Sequence, residues 1–510
     1  MRLFNTRTRQ VDELTPLDDS NIVRIYSCGP TVYNHAHIGN LSAYIFADIL
    51  RRSVQLAGYE TRHVMNFTDV DDKTIRDSAR EYPNLNPEEA LTKLTRHYEK
   101  VFLSEMGEIG NDADALNFVR ATESIEPMKQ LIGKLVEQGI AYVADDGVYF
   151  SIAEYSKTRK YGQLLKINDI EDSVRSNPNP TTVSWLAHAL DTIEDSERAR
   201  KLRLVSQKME EIGLEKSRIS DDEYDKEDAQ DFALWKKQKS GEPAWSFYLN
   251  GIDLTGRPGW HIECSVMSVG QLGQPFDIHT GGIDLIFPHH ENEIAQSTAG
   301  NQPELYANFF VHNEHLLVDG VKMAKSKHNF YTLVDVKEHG FDPLDFRILI
   351  LQSHYRSASS FSWDNLTAAQ NRRRNWRNKA ELRWQLPDSG DDGQVEIVNN
   401  LLDQASAAMQ DNLDTPNALK YIDEAFDQLK YDNLSHFALD NLISFIDNYL
   451  GLSIRNTTPD IAEIDKEKIR ARSEAKENKD FARADQIRDE LLSNNLTLND
   501  SSNQTIWARE

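Results

Sequence analysis

The chain contains two cysteines, and each lies within a run of residues whose side chains could do chemistry. Cys28 opens a run that ends at Asn40 and includes histidines and glycines, and Cys264 closes the run 259–264, which includes a histidine and a glutamate. Thiolates among such groups serve as metal ligands or nucleophiles, whereas thiols in apolar surroundings are small buried residues. A disulfide is disfavoured, because an acidic, cysteine-poor chain resembles cytosolic proteins, in which thiols stay reduced. The residues alone leave the chemical and the buried interpretations open.

A third run of potential ligands extends from Phe287 to Glu293. It contains His289 and Glu293 four positions apart, so on a helix both side chains lie on one face and can reach one metal ion. An isolated pair of this kind is more often solvated than bound to metal, and the second histidine of a zinc hydrolase motif is missing from the i+4 position. By itself this run favours the solvated pair.

Three segments suit an anionic nucleotide. The segment from Gly29 to Asn40 lies between a predicted strand and a predicted helix, where glycines let the backbone approach a phosphate and the helix N-terminus offers free N–H groups. The strand predicted over 276–282 runs into a second glycine-rich turn. Lys322 and Lys325 follow a predicted turn and suit an anionic leaving group, although lysines on a surface loop are more often simply exposed.

The elements that must position these residues begin with a βαβ unit. Residues 22–28 and 61–67 predict strands, and 38–56 predicts a helix whose apolar residues recur about every 3.6 positions. Such a unit favours a parallel sheet that binds ligands at its strand ends. Residues 88–140 are predicted to be helical, and the turn at 145–147 predicts a hairpin.

The remainder of the chain changes character more than once. The stretch 165–228 is polar and highly charged, which predicts an insertion that is partly helical and partly mobile. Beyond 365 the pattern is helical to about 455, and 451–459 predicts a linker. The last unit contains a helix with four apolar residues on one face, namely Phe481, Ala484, Ile487 and Leu491.

Composition limits the possible partners. A net charge of −25 argues against a general nucleic-acid coat, which would be basic. No run approaches the ~20 apolar residues of a membrane helix, so a soluble cytoplasmic protein is expected. One local basic stripe, interleaved with Trp376 and Trp384, either holds phosphates and stacks bases or is a solvated helix face with its tryptophans in the core. The stripe comprises Arg372, Arg373, Arg374, Arg377, Lys379 and Arg383.

Taken together, these runs resemble a known family. His37-Ile38-Gly39-Asn40 resembles the HIGH signature of class I aminoacyl-tRNA synthetases, and Lys322–Ser326 resembles their KMSKS loop. Longer strings resemble the cysteinyl-tRNA synthetases in particular, and the resemblance extends from Phe4 to Trp507. These strings lie around Cys28 and at 66–73, 256–264 and 276–296. Only 165–228 lacks a clear counterpart.

Three positions depart from the family pattern. Asn40 replaces the second histidine of HIGH, Ala324 replaces the first serine of KMSKS, and Thr280 stands where the family often has glycine. Asn40 can still donate a hydrogen bond but cannot carry a charge. Ala324 lacks one hydroxyl and leaves both lysines in place. We expect Asn40 and Ala324 to be tolerated. At Thr280 the backbone is expected to follow a different path from that in relatives with glycine.

The resemblance implies one zinc ion per chain. Its ligands in the family are two cysteines, a histidine and a glutamate, which correspond here to Cys28, Cys264, His289 and Glu293. Two thiolates and an imidazole suit Zn²⁺. The zinc is expected to bind the thiolate of the substrate L-cysteine. Serine is then rejected without an editing site, because the atom that differs is itself the ligand.

The implied reaction is a two-step cysteine–tRNA ligation. The carboxylate of cysteine attacks the α-phosphate of ATP to give cysteinyl-adenylate and pyrophosphate, and the terminal adenosine of tRNA(Cys) then accepts the cysteinyl group. His37 and Asn40 are expected near the phosphates, and Lys322 and Lys325 are expected to stabilise pyrophosphate with Mg²⁺. Further contacts to ATP are expected from Gly29, Thr31 and Gly39. The cysteine pocket is expected to include Thr68, Trp260, His279 and Asp284.

The implied fold class is α/β. A Rossmann-like parallel-sheet catalytic domain with a connective insertion precedes a helical-bundle anticodon-binding domain and a small C-terminal unit. The expected boundaries are 1–94 and 229–330 for the catalytic halves, 95–228 for the connective region, 331–384 for a stem-contact segment, 385–455 for the helical domain and 460–510 for the last unit. The basic stripe would then face the tRNA backbone, and the family implies a monomer.

Three alternatives remain. A ligase that gives cysteine to an amino sugar would lack the tRNA-reading C-terminus, whereas about 180 residues follow the lysine loop here. A catalytically inactive zinc-binding regulator is disfavoured by the presence of His37, Lys322 and Lys325. A purely structural zinc is the third alternative, and a change at the metal on binding cysteine would exclude it.

Overall fold

The computed structural model describes residues 1–164, 231–301, 304–322, 329–500 and 505–509, with only the backbone of Lys322. The strands are β1 (Arg2–Asn5), β2 (Gln10–Glu13), β3 (Ile22–Ser27), β4 (Glu60–Phe67), β5 (Leu116–Arg120), β6 (Ala141–Ala144), β7 (Gly147–Phe150), β8 (Phe232–Lys237), β9 (Tyr248–Leu249), β10 (Ile252–Asp253), β11 (Gly256–Pro258), β12 (Phe276–Gly282), β13 (Ala307–Asn313), β14 (Leu316–Val318), β15 (Val321–Lys322), β16 (Ser359–Phe361), β17 (Leu496–Asp500) and β18 (Thr505–Arg509). The predicted insertion 165–228 lies outside the described residues.

Helices connect consecutive strands of the central sheet and form most of the carboxyl-terminal part. They are α1 (Ile38–Leu56), α2 (Asp72–Glu81), α3 (Pro87–Glu108), α4 (Ile125–Glu137), α5 (Ile152–Ser156), α6 (Trp260–Leu272), α7 (Glu291–Gly300), α8 (Leu333–Glu338), α9 (Pro343–Leu351), α10 (Trp363–Ala380), α11 (Asp392–Gln410), α12 (Thr415–Gln428), α13 (His436–Phe445), α14 (Ile454–Thr457), α15 (Glu463–Glu477) and α16 (Phe481–Ser493). Among the described residues, no helix combines the length and apolar character needed to cross a bilayer.

The central sheet is parallel, with the order β13-β12-β3-β4-β5. The unit β3-α1-β4 confirms the predicted βαβ arrangement, and α1 spans the predicted range 38–56. Ser27, the last residue of β3, pairs with Thr280 on one side and Met65 on the other. The carboxyl ends of three strands therefore meet where Cys28 leaves the sheet, which is the edge at which such sheets bind ligands.

One strand of this sheet contradicts the prediction that 88–140 is helical. Helices α3 and α4 lie in that range, but β5 separates them and pairs with β4. The ring of Phe118 stacks on Phe67 with centroids 4.8 Å apart. The apolar pattern of β5 covers only five residues, which is too short to indicate a strand between two helical segments. The segment is a strand because its backbone pairs with β4. The central sheet thus includes residues beyond 94.

A second, antiparallel sheet has the order β11-β8-β7-β6 and includes the predicted hairpin at 145–147. Its strand β8 buries Trp235, whose indole N–H donates to the carbonyl of Leu254 over 2.7 Å. Helix α6 packs between this sheet and β4 of the central sheet. The fold therefore carries Cys264 on α6 to the end of β3, although the two cysteines are far apart in sequence.

The carboxyl-terminal half is mainly helical, as predicted. Helices α10 to α13 form one continuous apolar core with α1 and α9, and the predicted linker 451–459 contains the short helix α14. In the last unit, Ala484, Ile487 and Leu491 are buried on α16, but Phe481 is 63% exposed. Phe481 is the first residue of that helix, and its side chain lies outside the face that carries the three buried residues.

The basic stripe predicted at 372–383 lies on α10 and just after it, and most of its cations pair within the chain. Arg373 is buried and donates to two carboxylates at the start of α9. Arg372 donates to a carboxylate of α12, to which the indole of buried Trp376 also donates. Trp384 is 43% exposed. Three more cations donate to oxygens of neighbouring segments, namely Arg377, Lys379 and Arg383.

Candidate active site

Four potential metal ligands meet at the carboxyl edge of the central sheet. One ligand atom each from Cys28, Cys264, His289 and Glu293 lies within 4.8 Å of all the others. The two sulfur atoms are 3.9 Å apart, and His289 Nε2 is 3.3 Å from Glu293 Oε1. Two thiolates, one imidazole and one carboxylate form a donor set that suits Zn²⁺.

Local structure explains how each ligand reaches this point. Cys28 directly follows β3, and its N–H donates to the carbonyl of Thr280 over 3.2 Å. Cys264 lies in the second turn of α6. His289 lies in the helical turn that runs into α7, and Glu293 lies in the first turn of α7, so the predicted i, i+4 pair shares one face. Thr280 thus supports the backbone of the Cys28 turn through its carbonyl group.

The electrostatics of the cluster fit a cation. Among the described residues, His289 Nε2 and Glu293 Oε1 are buried and have no hydrogen-bond partner. Burial lowers the pKa of His289 to about 3, so its imidazole is neutral and can bind metal. Burial, followed by the neighbouring Cys264, raises the pKa of Cys28. A divalent cation would oppose that rise, because it stabilises the thiolate form.

Glu293 is held by its other carboxylate oxygen. His279 Nε2 and the hydroxyl of Tyr306 each lie 2.8 Å from Oε2. Although burial opposes it, His279 beside Oε2 lowers the pKa of Glu293, which keeps the carboxylate ionised. These contacts aim Oε1 at the two sulfur atoms, as partners behind a metal ligand commonly do.

His279 therefore lies behind the ligands. It was expected in the cysteine pocket, but its side chain is fully buried and contacts Glu293. His290 was not singled out from the sequence. Its Nε2 lies 3.3 Å from Cys28 Sγ. A second possible donor set consists of Cys28, His279, His290 and Glu293. In the sequence, only the position of His290 next to His289 pointed to the contact between His290 and Cys28.

The other residues expected in the cysteine pocket differ in their burial and in their contacts with the cluster. Trp260 stacks on the ring of His289 with centroids 4.1 Å apart and is 44% exposed, so it covers the ligand from the solvent side. Thr68 is buried, and its hydroxyl donates to Glu263 over 3.0 Å. Asp284 is exposed in the turn after β12. Trp260 thus contacts one member of the cluster directly, whereas Thr68 is buried beside Glu263 and Asp284 faces solvent.

The predicted nucleotide-binding turn is fixed to the start of α1. His37 is the N-cap, and its Nδ1 accepts from the N–H of Asn40 over 3.2 Å. The N–H of Ile38 donates to the carbonyl of Tyr331 over 2.9 Å, and the ring of Phe330 lies 5.0 Å from that of His37. The segment after the lysine loop is thereby held against the N-terminus of α1.

The two lysines are only partly described. The backbone of Lys322 ends β15, which pairs with β14. Lys325 lies outside the described residues. Strand β14, with which β15 pairs before the loop, contacts α1, and Phe330 after the loop lies beside His37 at the start of α1.

The remaining residues expected at ATP have structural contacts of their own. The N–H of Gly29 donates to Asn66 Oδ1 over 2.8 Å, and a Cβ at Gly29 would lie 1.8 Å from the carbonyl oxygen of Asn66. Only glycine allows these two strand ends to approach so closely. Thr31 pairs with Thr68 in an isolated bridge, and the carbonyl of Gly39 accepts from a serine hydroxyl in α1.

The three aspartates that follow β4 make contacts that stabilise the fold. Asp69 accepts from the N–H and the hydroxyl of Thr122. Asp71 is the N-cap of α2 and forms a capping box. Asp72 pairs with Arg257 and with Lys236. Asp72 thus joins α2 to the second sheet, and Asp69 holds the residues after β4 against the segment that follows β5.

Comparisons with known proteins agree with this arrangement. A family model described as tRNA synthetases class I (C) catalytic domain matches residues 14–182 and 188–371. The chain is 36% identical over 526 residues to the cysteine–tRNA ligase of Leptospira interrogans serogroup Icterohaemorrhagiae serovar Lai (strain 56601), covering 100% of this chain and 99% of the relative. It is 36% identical over 528 residues to the cysteine–tRNA ligase of Solibacter usitatus (strain Ellin6076), covering 100% of both.

Solved structures support the fold. Mycobacterium tuberculosis methionyl-tRNA synthetase in complex with methionyl-adenylate superposes with a TM-score of 0.56 at 13% identity, covering 85% of this chain and 92% of that one. The Agrobacterium radiobacter K84 agnB2 LeuRS in its ternary complex with tRNA and LeuAMS gives a TM-score of 0.53 at 12% identity, covering 88% and 86%. These similarities confirm the predicted α/β, Rossmann-like fold with a helical carboxyl-terminal region.

Proposed function

The chain belongs to the cysteine–tRNA ligase family of class I aminoacyl-tRNA synthetases, and we propose that a zinc ion on Cys28, Cys264, His289 and Glu293 selects its amino acid. The chain is thus an enzyme that attaches cysteine to tRNA, with ATP as a substrate. One observation carries the zinc proposal. The four donors converge within 4.8 Å, and two of their buried atoms have no hydrogen-bond partner among the described residues.

Selection for cysteine follows from the chemistry of the donors. Zinc, when bound, supplies a soft cation that lowers the pKa of the substrate thiol and binds its thiolate far better than a hydroxyl. Glu293 is held through Oε2, so Oε1 keeps one direction toward the sulfur atoms. Trp260 covers the outer side of His289 and limits the entry of water. Serine therefore finds no comparable partner at the same position.

The adenylation step is assigned to the turn before α1 and to the lysine loop. We propose that His37 and Asn40 donate to the ATP phosphates, where the N-terminus of α1 also favours negative charge. Lys322 and Lys325 would stabilise the departing pyrophosphate with Mg²⁺. The contact between Phe330 and His37 supports this assignment, because it links the end of the loop to the N-cap of α1.

The other expected residues have supporting roles. Gly29 and Thr31 would shape the floor beneath ATP through backbone contacts to β4 and Thr68, and Gly39 would let ATP approach α1. We propose that Thr68 and Trp260 contact the cysteine substrate directly and that Asp284 lies near its amino group. His279 would act through Glu293.

The tRNA partner is proposed to be tRNA(Cys). The expected segment 331–384 would contact its stem, the helical domain 385–455 and the last unit 460–510 would reach the anticodon, and 95–228 would remain the connective region beside the catalytic halves 1–94 and 229–330. We further propose that the enzyme is cytoplasmic, since free thiols of this kind persist in a reducing compartment. A monomer is proposed from the family resemblance alone.

The direct test is ATP–pyrophosphate exchange dependent on L-cysteine, followed by transfer to tRNA bearing the cysteine anticodon, with serine as the control. Zinc-loaded protein should exchange with cysteine, transfer it to tRNA and remain inactive with serine. Exchange without transfer would indicate ligation of cysteine to a small molecule. Loss of both reactions in zinc-loaded protein would overturn the proposal and favour a regulator.

A further inference from the structure

Asn66 is a buried residue at the end of β4 whose side-chain amide bonds to three groups near the metal-ligand cluster. It is 1% exposed. Its Oδ1 accepts from the N–H of Gly29 over 2.8 Å and from the hydroxyl of Tyr26 over 3.2 Å. Gly29 directly follows the ligand Cys28, so the amide oxygen holds the turn that presents this sulfur.

The other half of the amide points to the substrate wall. Asn66 Nδ2 donates to the hydroxyl of Thr68 over 3.2 Å, and that hydroxyl donates to Glu263 over 3.0 Å. The orientation of the Asn66 amide follows from Gly29, whose backbone N–H can only donate and must therefore face the amide oxygen. The amide NH₂ is then left to donate to Thr68. Thr68 accordingly presents one defined hydroxyl orientation.

The same amide oxygen also lies beside the second cysteine. Oδ1 of Asn66 is 3.7 Å from the sulfur of Cys264. One buried side chain therefore touches the turn after Cys28, the sulfur of Cys264 and the hydroxyl of Thr68. These three groups come from β3, α6 and the end of β4, and their relative positions decide where a substrate sulfur can reach the ligands.

We propose that Asn66 is a positioning residue that holds the two cysteine ligands and Thr68 in the geometry required to select a thiol. The inference rests on the proposed zinc-dependent function. Asn66 touches none of the reacting atoms; it acts through its neighbours. Partners behind metal ligands typically change metal affinity or activity by about 10–100-fold when they are removed.

Two variants of the full-length protein test the role. Asn66→Ala removes both halves of the amide, and we expect zinc affinity to fall about 10–100-fold in competition with a chelator. The absorption spectrum of the Co²⁺-substituted protein should shift, because the thiolate ligands change position. Asn66→Asp keeps the acceptor for Gly29 but loses the donor for Thr68. We expect this variant to raise the KM for cysteine about tenfold or more, with a smaller change in kcat.

The matched control is Asn111→Ala. Asn111 is also buried, and its amide donates to the carbonyl of Tyr44 over 3.0 Å and accepts from Arg347. Its contacts lie away from the four ligands, so this variant should lower the unfolding temperature without changing zinc affinity, the Co²⁺ spectrum or the KM for cysteine. It therefore separates a general loss of stability from a change at the ligands.

The outcomes distinguish the inference from the function on which it rests. Wild-type protein that binds no zinc would overturn the proposed function and the inference together. Wild-type protein that binds zinc, with Asn66→Ala and Asn66→Asp unchanged in Co²⁺ spectrum and KM, would overturn the inference alone. If Asn66→Ala does not fold, the KM of Asn66→Asp and its Co²⁺ spectrum decide.

Discussion

Two buried polar clusters in this molecule differ in how completely the atoms at their centres are hydrogen-bonded. In the first, around Asp48 and Arg347, every side-chain nitrogen of the arginine donates to an oxygen, and both carboxylate oxygens accept. In the second, around Cys28 and Cys264, two buried ligand atoms have no hydrogen bond among the described residues. The first cluster joins α1 to α9 and to the turn ending at Leu450.

The contrast separates structural from functional polar burial. Burying a charge without partners costs several kcal/mol, so a satisfied network such as that of Arg347 serves to hold elements together. The unpartnered imidazole nitrogen and carboxylate oxygen of the second cluster face potential metal ligands, so a bound cation would satisfy both. The unsatisfied cluster lies at the strand ends, where the fold binds ligands, and the satisfied cluster lies farther along α1.

The largest expected effect comes from breaking the unsatisfied cluster. Cys264→Ser should reduce zinc from about one per chain to a small fraction and lower cysteine-dependent exchange by orders of magnitude, because a hydroxyl is a poor zinc ligand. Metal analysis and exchange assays measure this. Met267→Leu, at a buried position on the same helix, is the control and should leave zinc content unchanged. A zinc-loaded, active Cys264→Ser enzyme would contradict the account.

Lys325→Ala should remove activity while leaving both clusters intact. The lysine is proposed to stabilise charge on pyrophosphate, so its loss should lower the rate of adenylate formation about 10²–10³-fold. Zinc content and unfolding temperature should match wild type. Lys337→Ala removes an exposed cation that pairs with Glu108, and it should leave the rate unchanged. Near-normal exchange by Lys325→Ala would refute its assigned role.

Breaking the satisfied cluster should have the opposite profile. Arg347→Met removes one of the three arginines that pair with buried Asp48 and leaves the carbonyls of Leu450 and Ile109 without this donor. It should lower the free energy of unfolding by about 3–5 kcal/mol. The folded fraction should keep its zinc. Denaturant unfolding with metal analysis of the folded protein measures both quantities. Loss of zinc from folded Arg347→Met protein would show that the two clusters are not independent.

The satisfied cluster also predicts a pH dependence. Although burial opposes it, Arg347, Arg52 and Arg51 hold the pKa of Asp48 well below its usual range. A depressed pKa stabilises the fold above the unfolded value of about 3.9, and this contribution is lost as pH falls through the folded pKa. The stability difference between wild type and Asp48→Asn should therefore be largest near neutral pH and shrink in acid. A difference independent of pH would contradict this assignment.

The smallest effect is expected at the basic stripe. Arg374 is exposed, unlike the buried Arg373. Arg374→Ala should change the free energy of unfolding by less than about 0.5 kcal/mol, whereas Arg373→Ala should cost several times more. If the stripe also faces tRNA, Arg374→Ala should raise the KM for tRNA a few-fold without affecting ATP–pyrophosphate exchange. An unchanged KM for tRNA would leave the stripe a structural feature.

Part of this arrangement could be predicted from sequence. The βαβ unit was predictable because β3, α1 and β4 carry long apolar patterns of the correct period. Spacing alone indicated only that His289 and Glu293 could share one metal ion. The four candidate ligands were joined into one set through the family resemblance, since nothing in the spacing connects residue 28 with residue 264. The structure supplies that connection by placing α6 against the end of β3.

The rest depends on contacts between distant segments. Strand β5 forms because β4 offers it an edge, and no local pattern outweighs the helices beside it. His279 and Asn66 have roles that depend on which atom each side chain touches, which spacing does not encode. The cations of α10 could not be divided into paired and exposed residues before the positions of their carboxylate partners were known.

The most direct test of the central claim is zinc X-ray absorption spectroscopy of the loaded protein with and without its amino acid. Without substrate, the account predicts two sulfur ligands, from Cys28 and Cys264. L-cysteine should add a third sulfur, and serine should leave the spectrum unchanged. A spectrum that does not respond to L-cysteine would contradict selection through the thiol and reduce the zinc to a structural role.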